Sequence, residues 1–208
     1  MASLFIDSTY DVTLGILDDS QGWIQFEKFA NQKASAIIQT ETHNLLKKAG
    51  LKVSAIDSVI TVAGPGFYTG LRLSEGFADV FIFNGKKHYS FMSYEIPKIT
   101  GVKAGVWMTK AYRGEYFFHL WDEAGSKNEI VSSKELEAFM KNVDKSHFYI
   151  HSDSAIDELS RSMISDPLKT VDLLKTHSSE IFSYIIKNSL KVDSYYFRAP
   201  EDEFKVSV

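Results

Sequence analysis

The segment with the most chemical capacity is Gly64-Pro65-Gly66-Phe67-Tyr68-Thr69-Gly70-Leu71-Arg72. Glycines permit close approach of the backbone to a ligand, and a helix starting beside them offers free amides and the positive end of its dipole to an anion. Arg72 adds a planar fork suited to phosphate or carboxylate. Asp7-Ser8-Thr9 places an acid and two hydroxyls at the end of the first apolar run. Asp7, Ser8, Thr9, Gly64, Pro65, Gly66, Thr69, Gly70 and Arg72 are therefore the candidate nucleotide- or anion-facing residues. A second reading stays open at each place: the glycines shape a tight turn, and Ser8 and Thr9 satisfy the backbone of a hairpin. Neither motif is a Walker A loop, which needs Lys followed by Ser or Thr, nor the GxGxxG fingerprint.

Other catalytic signatures are missing. No serine stands in a GxSxG frame, and the chain has no cysteine, which removes thiolate nucleophiles, thiolate metal sites and disulfides and fits a reducing compartment. His147 and His151 are four residues apart on a run that reads as a strand, where such residues share a face but lie too far apart to chelate as a helical pair does. With no carboxylate at motif spacing beside them, no metal is expected. A net charge of −4 supplies no broad positive field for autonomous binding to a phosphate backbone, so RNA contact is expected only through a complex.

These residues need a scaffold, and 208 residues with 44% hydrophobic and 13% aromatic content can bury a substantial core. Leu4–Asp7, Val12–Leu17 and Trp23–Phe29 read as three strands of a meander. Residues 33–49 have apolar positions at helical spacing and end at Gly50. Ser58–Ala63 suits a strand buried on both faces, and a helix then starts near Thr69, whose hydroxyl is placed to cap it. Leu73, Phe77, Val80 and Phe81 form that helix's apolar stripe before Asn84-Gly85 ends it, and His88–Met92 is a further strand. This order predicts an α/β lobe over residues 1–100, its mixed sheet antiparallel at one side and parallel where the helices cross over.

A smaller lobe is expected over 101–208. Its strands are Gly101–Met108, Glu115–Trp121 and His147–His151; its helices follow Ser132-x-x-Glu135 to about Asn142, and span Ile156–Ile164 and Ser178–Leu190. No repeat of fixed period occurs. Met1–Asp7 lacks the basic start and apolar run of a secretory leader, and no uncharged apolar run reaches roughly 18 residues, so a soluble, cytoplasmic protein without a membrane partner is expected.

The first lobe's helices also offer surface. Ala34, Ser35, Ile38 and Thr42 on one, with Leu71, Ser74, Glu75 and Ala78 on the other, combine small and apolar side chains that pack closely, against a partner or against the lobe's own sheet.

In order as well as kind, these segments resemble the bacterial TsaB (YeaZ) family. The matching residues are Ile6-Asp7-Ser8-Thr9, Leu45-Leu46-Lys47-Lys48-Ala49-Gly50-Leu51, Ile56-Asp57, Gly64 to Leu73, Ser93-Tyr94-Glu95, Ala111-Tyr112-Arg113-Gly114-Glu115-Tyr116 and, more weakly, Tyr196-Phe197-Arg198. The GPGxxTGLR pattern is the specific part. The resemblance implies an actin-like ATPase fold (ASKHA, ribonuclease H-like) of two lobes, each a mixed sheet flanked by helices. It implies a subunit without catalysis of its own that binds and activates the related catalytic protein TsaD, in the complex that places threonylcarbamoyl on the adenosine beside the tRNA anticodon. TsaD would dock on the first-lobe helices and TsaE would join. ATP or ADP and tRNA would bind the assembled complex, not this chain alone, and the isolated chain could form a homodimer. TsaD's metal-binding histidine motif is missing here. Ala34-Ser35 stands where the family has His-Ser, Phe67-Tyr68 where it has Ser-Phe, Ser74 for a glycine, and Lys110 and Tyr112 for an Asp and an Arg. The alternative is a small phosphotransferase acting alone through Asp7 and the Gly64 loop.

Overall fold

The computed structural model describes residues 2–144 and 146–197; Arg198 lies outside them. In the first lobe, β1 (Ala2–Asp7), β2 (Val12–Leu17) and β3 (Trp23–Phe29) form an antiparallel meander, followed by α1 (Ala34–Lys48), β4 (Ile56–Val62), α2 (Tyr68–Phe83) and β5 (Lys87–Phe91). β4 pairs parallel with β1 and β5 parallel with β4, giving the order β3-β2-β1-β4-β5. Short turns join the antiparallel neighbours, and a helix carries the chain back wherever neighbours run parallel.

After a short helix α3 (Ile96–Ile99), the chain enters a second sheet built from β6 (Gly105–Lys110), β7 (Glu115–Asp122) and β8 (Gly125–Ser132), then α4 (Leu136–Lys141), β9 (Phe148–Ile150), α5 (Glu158–Met163) and β10 (Leu168–Lys169). Its order, β10-β9-β6-β7-β8, with β6–β7–β8 antiparallel and β6–β9–β10 parallel, repeats the first sheet position for position. The duplication is one of topology, and no repeat in the sequence announces it. Ser132 Oγ does donate to Glu135 Oε2 at 2.6 Å, but Glu135 itself is the N-cap, and α4 starts after it.

The chain then returns to the first lobe as α6 (Thr170–Thr176) and α7 (Ser178–Lys187). Period-two alternation explains why. Leu4 and Ile6 of β1 face α1 and α2, packing with Leu14, Ile16, Val59, Ile38, Leu45 and Ala78. Phe5 faces the other way, with Ile60, Phe91, Leu174, Ile181, Phe182 and Ile185; its ring meets Phe182 edge-on at 5.3 Å. Strands apolar on both faces need a helical layer on each, and burying each of these side chains contributes about 1.5–3 kcal/mol. The second sheet falls within residues 101–208, and the last two helices of the same range roof the first sheet. No described helix is long and apolar enough to cross a membrane.

Candidate functional site

β1 delivers Asp7 to the seam between the lobes, and the residue after β9 is His151. Asp7 is 1% exposed. Its Oδ1 accepts hydrogen bonds from the Thr9 amide (3.0 Å) and hydroxyl (2.7 Å), and its Oδ2 lies 2.6 Å from His151 Nε2. His151 Nδ1 lies 2.9 Å from Thr170 Oγ1, at the start of α6. Burial pushes the Asp7 carboxyl up, but the charge and hydrogen bond of His151 and the two bonds from Thr9 together outweigh it, holding the group below the ordinary carboxylate range.

Two further links close the same seam. The Tyr10 hydroxyl donates to the Lys110 carbonyl at 3.0 Å and accepts from the Thr109 hydroxyl. Burial pushes the Tyr10 phenol up, so it stays a donor. Ser154 Oγ donates to Asp11 Oδ2 at 2.6 Å, and Lys28 Nζ stands 3.0 Å from the same oxygen. The acid that a phosphotransferase would turn toward metal and phosphate is here bound to a histidine of the opposite lobe.

The glycine loop presses on this turn. A Cβ on Gly70 would stand 1.8 Å from the Ser8 carbonyl oxygen, and one on Gly66 would stand 2.6 Å from Thr9 Cβ. The Phe67 amide donates to the Thr9 carbonyl (3.0 Å), and Ser8 Oγ donates to the Gly70 carbonyl (2.6 Å) while also contacting Ser74 Oγ. Gly64, at φ 112°, and the buried Pro65 complete the bend, and the Gly64 carbonyl accepts from Ser93 N–H at 2.8 Å. What the loop backbone approaches closely is therefore its own chain. Thr69 does not cap α2: the helix opens at Tyr68 with Phe67 as N-cap and no side-chain cap, so Thr69 already lies inside the first turn. Arg72 is engaged elsewhere, 5.6 and 5.5 Å over the rings of Tyr68 and Tyr196, with Nη1 3.2 Å from Glu75 Oε2.

The helix surface differs from expectation. Ile38, Thr42, Leu71, Ser74 and Ala78 are buried, because they lie on the sides of α1 and α2 that cover the sheet; of the eight expected contact residues, Ser35 is exposed, and Ala34 and Glu75 are half-buried. Within the apolar stripe of α2, Phe81 is buried, Leu73 and Phe77 are half-buried, and Val80 points to solvent. Val80 is 57% and Phe83 91% exposed, and a Cβ on the neighbouring Gly76 would meet nothing within 4 Å. The outward side of α2 thus carries Gly76, Val80 and Phe83, while Phe77 packs against the cluster beneath the helix.

Residue types did not reveal the roles of Tyr10, His151, Ser154 and Thr170. His151 carried one usable signal: a histidine directly after the fully apolar run Phe148-Tyr149-Ile150 needs a polar partner inside the fold. Among the described residues, no group of three or more His, Asp or Glu could hold a metal ion.

A family model described as TsaD, tRNA N6-adenosine threonylcarbamoyltransferase, matches residues 28–90, from the end of β3 through α1, β4 and α2 into β5. Among solved structures, the chain is similar to YeaZ from Pseudomonas aeruginosa, with 12% identity, 93% of this chain and 97% of that chain covered, and a TM-score of 0.64. It is similar also to an uncharacterized protein with similarity to peptidase YEAZ from Pseudomonas aeruginosa, with 15% identity, 93% and 99% covered, and a TM-score of 0.60. No curated protein matches the sequence. These likenesses show that the chain shares the fold of YeaZ.

Proposed function

We propose that this TsaB/YeaZ-like chain is a non-catalytic subunit of the tRNA threonylcarbamoyladenosine machinery, binding and activating a cognate TsaD through α1 and the outward face of α2. The observation that carries the reading is the pairing of a closed seam with an open helix. Asp7 is held by His151 and Thr9 in the place where a phosphotransferase needs a free acid, while Val80 and Phe83 stand bare on α2. A large apolar side chain left 91% exposed at a helix end, one turn from a second at 57%, suits a partner helix more than solvent.

On this reading TsaD supplies the transfer chemistry, ATP or ADP and tRNA bind the assembled complex, and TsaE joins it in the cytoplasm. In the absence of TsaD, the same α2 face serves a homodimer. Gel filtration and calorimetry of the chain with its cognate TsaD test the proposal. A stoichiometric complex, lost in Val80→Asp/Phe83→Asp, supports it; no complex at micromolar concentration, or turnover by the purified chain alone, removes it.

A further inference from the structure

The two sheets end in the edge strands β3, β5, β8 and β10, and an edge left regular and unpaired is a template for another strand. Three of these edges are blunted. β3 carries a bulge, since Leu17 pairs with Trp23 and Ile16 with Gln25, which leaves Ile24 over. Along β5, the Ser90 amide donates to the Leu190 carbonyl at 3.0 Å, and Ser90 Oγ bonds the Val192 backbone. β10 is two residues long. β8 runs for eight residues with no register shift, and among the described residues no strand lies along its outer side.

The alternation along β8 follows from its pairing with β7. Ser133 N–H donates to the Gly114 carbonyl at 2.8 Å, so the odd-numbered residues of β8 turn their backbone groups to β7, while Ser126, Asn128 and Ile130 turn theirs outward. That outward stretch is closed at both ends. The Ser132 amide is taken by Glu135 Oε2 at 3.4 Å, and the Ala124 amide by Asp122 Oδ1 at 2.8 Å. Its midpoint is Asn128. An antiparallel second copy can be centred on residue 127, 128 or 129 while keeping at least two outward residues paired. Centring on 127 sets Lys127 against its own copy, and centring on 129 does the same to Glu129, so both registers oppose like charges. Centring on Asn128 pairs all three outward residues and sets Lys127 against Glu129 twice, at non-hydrogen-bonded positions where facing side chains stand closest. We propose that β8 pairs antiparallel with β8 of a second copy of this chain, about a two-fold axis at Asn128, which joins the two second sheets into one. Lys127 Nζ and Glu129 Oε1, 2.5 Å apart within one chain, then each gain a partner across the axis. This surface is separate from the outward side of α2, a helix that covers the first sheet.

Sedimentation equilibrium of the full chain in low salt, over about 1–100 μM, tests the pairing. A concentration-dependent dimer is expected. Lys127→Glu or Glu129→Lys turns two attractions into two repulsions and should weaken the dimer about tenfold or more, and the exchange Lys127→Glu/Glu129→Lys should restore it. The two single variants, mixed, should associate with each other in preference to themselves, since every facing pair is then of opposite sign. Lys127 is exposed and Glu129 half-buried, so an unchanged melting temperature should show that the fold is intact. The chain has no cysteine, so Ser126→Cys mixed with Ile130→Cys should form an intermolecular disulfide that neither forms alone, across a pair about 5.5 Å apart at Cα. A monomer throughout, a dimer indifferent to the single reversals or not restored by the exchange, or one dissolved by Val80→Asp/Phe83→Asp, overturns the proposal.

Discussion

His151→Ala should convert a stabilising strut into an isolated buried charge. The Asp7 and His151 side chains are 1% and 4% exposed and meet at 2.6 Å, so water cannot replace the lost partner. Removing one member of such a pair costs about 3–5 kcal/mol. In a protein of this size each kcal/mol shifts the melting temperature by roughly 2–4 °C, so the variant should melt about 6–20 °C lower at pH 7. The pH profile should change sign as well. In the parent chain the folded pKa of Asp7 lies below its unfolded value, so its contribution is complete above about pH 3.9 and is lost as pH falls through the lower folded pKa. Without His151, burial is opposed only by Thr9, and the folded pKa rises above the unfolded one. The penalty is then present at neutral pH and relieved as pH falls through the raised value. Between pH 7 and 5 the parent's melting temperature should therefore gain nothing from Asp7, while the variant's should climb relative to it. Asp7→Asn should rescue part of the loss in a double-mutant cycle, since it removes the orphaned charge. A variant within about 2 °C of the parent, with a parallel pH profile, would refute the argument.

Other outcomes follow from the same geometry. Val80→Asp/Phe83→Asp should abolish co-elution with TsaD while changing stability by less than about 1 kcal/mol in denaturant unfolding, because both positions face solvent. Gly70→Ala should reduce the yield of folded protein or unfold at clearly lower denaturant, since its methyl would stand 1.8 Å from the Ser8 carbonyl oxygen. Leu45→Ala, in the core beneath α1, should cost about 2–5 kcal/mol in the same assay. A coupled ATPase assay on the isolated chain should read no turnover above buffer, and turnover abolished by Asp7→Ala would restore the phosphotransferase.

Much of the first lobe was legible because its signals are local. The apolar alternation of β1 to β3, the β-branched run of β4 and the terminator at Gly50 each act within a few residues. The second half of the chain was harder to read. β8, Gly125-Ser-Lys-Asn-Glu-Ile-Val-Ser132, is a largely exposed edge strand whose polar residues leave no buried pattern, and α6 is only two turns long. The site was readable in its parts but not in its use. Nothing near Asp7 in sequence shows that a histidine 144 positions later will occupy it. Helix faces failed for a related reason. Small residues at helical spacing fit a sheet or a partner equally well, and only the placement of the sheet shows that Ile38 and Ala78 turn inward and Val80 outward.

The return of α6 and α7 to the first sheet has a consequence for biosynthesis. During translation Phe5, Ile60 and Phe91 leave the ribosome early, yet their covering side chains, Leu174 to Ile185, emerge some ninety residues after Phe91. At about 5–20 residues per second, the nascent sheet stands with one apolar face bare for roughly 5–20 s, a window in which a chaperone or a neighbouring nascent chain competes for it.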